Sequence, residues 1–237
     1  MPLARAEEAR AEWVERFPGG FEEVAGTEEL ELAAYVEGEA PPDLEAVDVE
    51  PGWEQRWRDF HRPVRIGPFW IGPPWHRPAR DAVPIVIDPG RAFGTGAHAT
   101  TRLCVELLTA LESGSLLDVG TGSGVVAIAA AKLGFAPVLA IDSDPSVIEV
   151  ARSNAAVNGV SIDVRVADAT TDELPSVEVA VANISIALVA SLLPRLDARS
   201  VVASGYLEGD EPRFGPYTRR ERRVRDGWAA DLLERGE

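Results

Sequence analysis

Apolar residues recur along this chain in two rhythms, and the change from one to the other marks out its elements. Between residues 4 and 16, Ala6, Ala9, Trp13 and Phe17 fall near one helical stripe, which Pro18-Gly19-Gly20 ends. Two short apolar runs, Phe21–Ala25 and Leu30–Val36, predict strands around a polar turn at 26–28. After Pro41-Pro42 the run Leu44–Val49 predicts another. Trp53, Trp57 and Phe60 share a helical face and predict a connector helix docking on the next domain. Val64–Ile66 and Phe69–Ile71 flank Gly67-Pro68 as a hairpin, and Gly72-Pro73-Pro74-Trp75 reads as a stiff extended link.

From Val83 onward, strand-like and helix-like segments alternate. Strands are predicted at Val83–Ile87, Leu116–Val119, Val138–Ile141, Ile162–Val166, Val177–Ala182 and Ser200–Ala203. Helices are predicted at Thr101–Leu111, where threonine hydroxyls can cap, at Val125–Leu133, from Asp144-Pro145 to about Asn154 with Asn158-Gly159 closing it, and at Ile186–Leu193. Arg219–Val224 and Trp228–Leu233 flank Asp226-Gly227, a strong hairpin signal. Such a series implies an α/β domain with a mostly parallel sheet, helices on both faces and a terminal antiparallel hairpin. In sheets of this kind a ligand lies across the carboxyl ends of the strands, where Asp118, Asp142, Asp168 and Asn183 all fall. The expected division is a small α+β domain at 1–50, a linker helix and connector at 51–80, and the α/β domain at 81–237.

The candidate chemistry centres on Asp118-Val-Gly-Thr-Gly-Ser-Gly124. Gly120, Gly122 and Gly124 stand at a strand-to-helix turn, where they let the backbone bend tightly and a ligand approach closely. Asp142 ends the next strand, 18 residues after Gly124, near the offset at which an acid meets ribose hydroxyls. The pair reads as a nucleoside-binding βαβ unit. A pyrophosphate site wants Gly-x-Gly-x-x-Gly; the spacing here differs, and Asp118 before the turn suits a cationic ligand better than a pyrophosphate. The glycine-rich loop 88–101 precedes this unit and is long enough to be functional in its own right.

Composition adds less. A chain of 237 residues accommodates one sizeable α/β domain plus a small one. A single cysteine, Cys104, rules out an internal disulfide and fits a reducing compartment. The amino-terminal residues are charged and lack a central apolar segment, and the longest apolar run, Val125–Ala131, cannot span a bilayer, so a cytoplasmic location is expected. Net charge is −16, and residues 1–60 carry 17 acids against 5 arginines. Such a field disfavours a nucleic-acid backbone and favours a basic partner, although an acidic surface also serves solubility alone. Metal-ligand spacing is absent.

Together, Ala92-Phe-Gly-Thr-Gly-Ala-His-Ala-Thr-Thr101, the glycine motif, Ala140-Ile-Asp-Ser-Asp-Pro145, Asn154-Ala-Ala-Val-Asn-Gly159 and Val181-Ala-Asn-Ile184 resemble one family. It is the bacterial methyltransferases of ribosomal protein L-eleven (L11; PrmA-type), which belong to the class I S-adenosylmethionine-dependent methyltransferases. The Trp-x-x-x-Trp connector and the Pro-Pro-Trp link resemble it too. The resemblance implies a Rossmann-like methyltransferase domain behind a ferredoxin-like domain that recognises the ribosomal protein. It implies S-adenosyl-L-methionine as cofactor, and methylation of lysine side chains and the N-terminal α-amine of L11 by a monomer, without direct nucleic-acid or membrane contact. Carried over by position, Thr101 and Phe93-Gly94 lie over the cofactor, Gly120 under its amino-acid part and Asp142 on the ribose, with Asn183 beside the transferred methyl. Gly122, Asp118 and Asp168 complete the expected binding set. The chain departs from the family in a barely sufficient first strand and in 207–216, too short for a full helix.

Two alternatives stay open at this level: a methyltransferase of the same fold acting on another protein or a small amine, and a module that binds the cofactor without turnover. Asn183-Ile184-Ser185-Ile186 lacks the prolines and stacking ring that methyltransferases of flipped adenines place here. His98 is the best-placed titratable group in the loop, as a base or simply as a packed residue. Asp168 is either an adenine contact or a helix cap. Cys104, inside a helical run, reads as a buried thiol.

Overall fold

The computed structural model describes Trp13, Arg16 and residues 22–25, 30–34, 41–44, 61–88 and 96–236. It divides into two compact units, one drawn from Met1–Phe60 with Arg91–Phe93 and one from His61–Gly90 and Gly94–Glu237. In the first unit Trp13 and Arg16 are helical. β1 (Glu22–Ala25) and β2 (Leu30–Ala33) form the expected antiparallel hairpin, with Ala25 opposite Leu30. β2 stops three residues short of expectation. The rest of the first helix, residues 45–49 of the next expected strand, the connector helix around Trp53–Phe60, and Phe93 and Gly94 lie outside the described residues.

The second unit opens with the predicted hairpin, β3 (Val64–Ile66) and β4 (Phe69–Gly72). β5 (Val83–Val86) pairs with β4 in parallel and so belongs to this small three-stranded sheet. Its outer edge is finished by a side chain. Val86 N–H donates to Asn158 Oδ1 at 2.8 Å and its carbonyl accepts from Asn158 Nδ2 at 2.6 Å, so one carboxamide copies the two-way pairing of a neighbouring strand.

The principal sheet has seven strands in the order β11-β12-β10-β9-β6-β7-β8. They are β6 (Leu116–Val119), β7 (Val138–Asp142), β8 (Asp163–Val166), β9 (Val177–Asn183), β10 (Ala198–Leu207), β11 (Tyr217–Arg225) and β12 (Trp228–Arg235). β8, β7, β6, β9 and β10 run parallel, and β12 and β11 close the edge antiparallel. This is the α/β architecture the alternation implied. β6 is the strand where the order reverses, since the chain proceeds outward through β7 and β8, then returns to β9 on its other side. All four β6 residues are buried, as its apolar run required.

Helices α1 (Ala99–Leu108), α2 (Val125–Lys132) and α3 (Pro145–Val157) cover one face, and α4 (Ile186–Leu192) lies on the other. Side chains alternate along each strand: Leu116 joins the core beneath α1 to α3, while Leu117 and Val119 join the core beneath α4. The alanines of α2 let it pack closely on β6 and β7 in contact with α1 and α3. Among the described residues no helix is long and apolar enough to cross a membrane.

Other boundaries differ from expectation as well, among them the end of α1, at Leu108 rather than Leu111. α1 starts two residues early, and its cap is not a threonine: His98 stands at the N-cap with an extended backbone, and Nδ1 accepts from Thr100 N–H. α3 continues past Asn154 to Val157, directly up to the expected Asn158-Gly159 stop. β10 has ten residues rather than four, because it gains partners on both sides and continues through Gly205 by a bulge. Residues 208–216 form no helix, as their length implied.

Because Asn158 pairs both polar groups of Val86, Asn158→Ala is expected to destabilise the fold by about 1–3 kcal/mol in urea titration. Unchanged stability would show that water replaces the carboxamide without loss.

Candidate functional site

Beyond Val119 the chain enters the glycine loop. Gly120, Gly122 and Gly124 have φ of +72°, +50° and +81°, a left-handed conformation strained for any other residue. Gly120 N–H and Thr121 N–H both donate to the Ile141 carbonyl, at 2.9 and 3.0 Å, so the loop hangs from the end of β7. A Cβ on Gly120 would stand 2.5 Å from Ile184 Cγ2. Glycine here clears space between the ends of β6 and β9 as well as bending the chain.

Asp142 is held in place by the loop and by its own turn. Its Oδ2 accepts from Gly122 N–H at 2.9 Å and its Oδ1 from Asp144 N–H at 3.0 Å. Two carboxylate oxygens offer about four acceptor positions, so about half remain for a diol. Asp144 in turn caps α3 by accepting from Ser146 N–H at 2.8 Å.

Asp118 does something other than expected. It sits third in β6, on the face covered by α1 and α2, and is fully buried beside Cys104. Its Oδ2 accepts from the Thr121 hydroxyl at 2.7 Å, and the Ala127 N–H also bonds to it. The expectation of a ligand contact is therefore corrected: strand alternation turns this carboxyl under the loop, where it shapes the turn. Burial pushes its pKa up to about 6, opposed by those two hydrogen bonds, with the nearby Asp142 charge adding to the rise. Asp168 serves its local turn. It is exposed, and its carboxylate accepts from Thr170 N–H at 2.8 Å and Thr170 Oγ1 at 2.6 Å, which makes it a turn cap.

Thr101 and Asn183 retain unspent polar groups. Thr101 is 1% exposed, and its hydroxyl has no hydrogen-bond partner among the described residues. An orphaned buried hydroxyl costs about 1–3 kcal/mol, which a ligand acceptor or donor would recover. Asn183 ends β9, in register with Ser204 of β10, and its amide makes no hydrogen bond among the described residues. Val119 pairs with Ile141 on one side and Ala182 on the other, so Asp142 and Asn183 flank Gly120 at three adjacent strand ends. His98 is a cap rather than a free base. Its Nδ1 lies 2.8 Å from Thr100 Oγ1, its ring packs edge-on to Trp228 at 4.9 Å, and burial lowers its pKa, leaving it neutral. The Cys104 thiol is buried and its pKa is pushed up by desolvation, as its helical position implied.

Asn154 was not singled out from sequence. It is 2% exposed; its Nδ2 donates to the Ser123 carbonyl at 2.9 Å and its Oδ1 accepts from Asp88 N–H at 3.1 Å. It ties the glycine loop to the start of the loop after β5. The signal was present as Asn154-x-x-x-Asn158, two carboxamides one helical turn apart on an otherwise apolar face. Among the described residues no cluster of ligating side chains could hold a metal ion.

A glycine cradle, a diol-competent acid and an orphaned hydroxyl fit a nucleoside with a small zwitterionic tail. The family model described as ribosomal protein L11 methyltransferase (PrmA) matches residues 22–208. Curated ribosomal protein L11 methyltransferases match as well. That of Symbiobacterium thermophilum is 46% identical over 157 residues, covering 63% of this chain and 51% of that protein. That of Pelobacter propionicus is 38% identical over 196 residues, covering 77% and 61%. That of Ectopseudomonas mendocina is 37% identical over 224 residues, covering 86% and 76%. The chain thus spans about half the length of the first of these relatives and about three-fifths of the second. The solved ribosomal protein L11 methylase of Lactobacillus delbrueckii subsp. bulgaricus is similar with a TM-score of 0.67 at 29% identity, covering 75% of this chain and all of that one. A Pyrococcus abyssi tRNA (uracil-54, C5)-methyltransferase, at TM-score 0.52 and 22% identity, shares the fold.

The buried Asp118 makes stability depend on pH. Its folded pKa of about 6 exceeds the ordinary aspartate value of 3.8, so between these values the folded state binds more proton than the unfolded state. Its contribution is therefore least favourable above pH 6 and improves as pH falls toward 4. Relative to Asp118→Asn, wild-type stability is expected to rise by about 2 kcal/mol between pH 7 and pH 4 in parallel denaturant titrations. A difference that stays flat with pH would contradict this environment for Asp118.

Proposed function

The chain belongs to the ribosomal protein L11 methyltransferase (PrmA) family, and from that premise we propose that it is an S-adenosyl-L-methionine-dependent protein methyltransferase acting on lysine side-chain or N-terminal amines of L11. The observation that carries this reading is the Asp142 carboxylate, immobilised by two backbone N–H groups beside the glycine loop with acceptor positions to spare. In this reading Asp142 receives the ribose hydroxyls and Gly120 and Gly122 leave room for the amino-acid tail. The Thr101 hydroxyl gains its missing partner from the same ligand, and Phe93 and Gly94 cover it. Residues 1–50 recognise the substrate, 51–80 connect, and 81–237 carry the transfer. The net charge of −16 suits a basic protein substrate and a cytoplasmic monomer that binds neither membrane nor nucleic acid.

The bound cofactor supplies a methyl group on a sulfonium, a leaving group that needs no activation by the protein. What remains for the chain is orientation and exclusion of water. The acceptor amine must be neutral. A free lysine is neutral about once in 2,500 at pH 7, and an α-amine about a tenth of the time. Asn183 has an unspent carbonyl that can accept from the amine N–H groups and so aim the lone pair at the methyl carbon. With His98 committed to capping, the proton leaves to water before transfer.

Intact-mass analysis of purified L11 after incubation with the protein and S-adenosyl-L-methionine tests the reading. Mass gains in whole methyl increments are expected. Methyl gains confined to other proteins or to small amines would overturn the substrate, and cofactor binding without turnover would overturn the activity. Asp142→Ala is expected to weaken S-adenosylhomocysteine binding roughly tenfold or more in calorimetry, through loss of charge-assisted hydrogen bonds. Unchanged affinity would put the ribose elsewhere. Asn183→Ala is expected to lower kcat about 100-fold while leaving cofactor affinity within about twofold. Equal losses in both would refute an orienting role.

A further inference from the structure

The far side of Asn183 is built with more care than a strand end needs. β10 pairs with β12 as Ser204 opposite Ala230 and then Tyr206 opposite Ala229, which leaves Gly205 as the extra residue of a bulge. Gly205 has φ +103°, and a Cβ on it would stand 2.1 Å from the Ile184 carbonyl oxygen and 2.7 Å from its carbon. Ile184 N–H donates to the Ser204 carbonyl at 3.1 Å. Ile184, the residue after Asn183, is therefore wedged. Its backbone lies against Gly205 and its side chain occupies the space a Cβ on Gly120 would need.

The bulge is locked from behind. Tyr206 shares its hydroxyl proton between Asp231 Oδ2 at 2.8 Å and the Ala203 carbonyl at 3.0 Å, spanning the irregular residues. Ser204 Oγ donates to the Ala229 carbonyl at 2.7 Å. Asp231 is wholly buried and takes a two-pronged contact from Arg222, with Nε to Oδ1 and Nη2 to Oδ2 both at 2.8 Å. Arg222 Nη1 also donates to the carbonyls of Glu208 and Asp210, at 3.1 and 3.0 Å, fixing the chain beyond the strand. A buried ion pair is weak evidence for stability, because desolvation offsets its attraction, but each of its partners is directional.

We propose that Gly205 and the Tyr206–Asp231–Arg222 network are positioning residues that set the placement of Asn183 against the glycine loop, an inference that rests on the reading of Asn183 as the group that aims the acceptor amine. The network touches neither cofactor nor acceptor. It acts through Ile184, and so it governs turnover rather than cofactor affinity. Removing the tyrosine hydroxyl releases the bulge while Asp231 keeps Arg222, which leaves the fold intact.

The test combines kinetics with an NMR readout that needs no reaction. In Tyr206→Phe, kcat for methyl transfer is expected to fall about tenfold, with S-adenosylhomocysteine affinity within about twofold of wild type. In Arg220→Ala, a change at an exposed ion pair of the neighbouring strand, both are expected to stay unchanged. In ¹H–¹⁵N spectra of Tyr206→Phe the Asn183 side-chain cross-peak, assigned by its loss in Asn183→Ala, and the Ile184 amide are expected to shift while those of Gly122 and Asp144 stay. Asn183 and Ile184 cross-peaks that do not move would overturn the proposal, as would kcat and cofactor affinity falling together. If the cross-peaks shift but wild-type protein methylates nothing, the positioning stands and the assigned function fails.

Discussion

The grip of two backbone N–H groups on the Asp142 carboxylate is the constraint from which the site follows. Gly122 donates from the glycine loop and Asp144 from the turn into α3, so one side chain joins the ends of two βα units. A carboxylate held at both oxygens has surrendered its rotamer freedom during folding. It offers its remaining acceptor positions to a ligand in a fixed direction, without ordering cost at binding. The two loop N–H groups on the Ile141 carbonyl add to this, and loop and acid behave as one piece.

The fold puts that piece where the strand order reverses. β6 has β7 on one side and β9 on the other, and the connections diverge to opposite faces of the sheet, opening a crevice at the carboxyl ends. Close packing then decides what fills it. Gly120 and Gly205 are both bare toward Ile184, so that residue is clasped from two directions and Asn183 is left standing at the edge with an unspent amide. Beneath, the buried Asp118 holds the turn through Thr121 and Ala127. The site thus separates acids by depth: one shapes the loop from below, and the other faces outward.

Much of this was legible in the sequence because period-2 and period-3.6 patterns, glycine spacing and an acid at a set offset are local signals. The strands from β6 to β9, helix α2 and the terminal hairpin stand close to where their apolar runs placed them. Asp118 reads as a ligand contact because a motif gives its position along the strand but not the face it turns to, and alternation puts it inside. The α1 boundary slipped because imidazole is an unusual cap, and His98 drew attention as a base instead. The apolar run predicts β10 only to Ala203, and pairing with β9 to Ser204 and with β12 to Leu207 carries the strand on. The Tyr206–Asp231–Arg222 network is beyond reach for the same reason, and the Asn154-x-x-x-Asn158 spacing signals a role without naming its partners, which lie far apart in sequence until the fold brings them together.

The central claim is that the fixed Asp142 carboxylate, the glycine loop and the Thr101 hydroxyl form one binding cradle for a sulfonium nucleoside. A crystal structure with S-adenosylhomocysteine tests it most directly. The account expects both ribose hydroxyls on Asp142, the Thr101 hydroxyl partnered by the ligand, and Asp118 untouched beneath the loop. A ligand bound elsewhere, or a ribose that leaves Asp142 bonded only to Gly122 and Asp144, would contradict it.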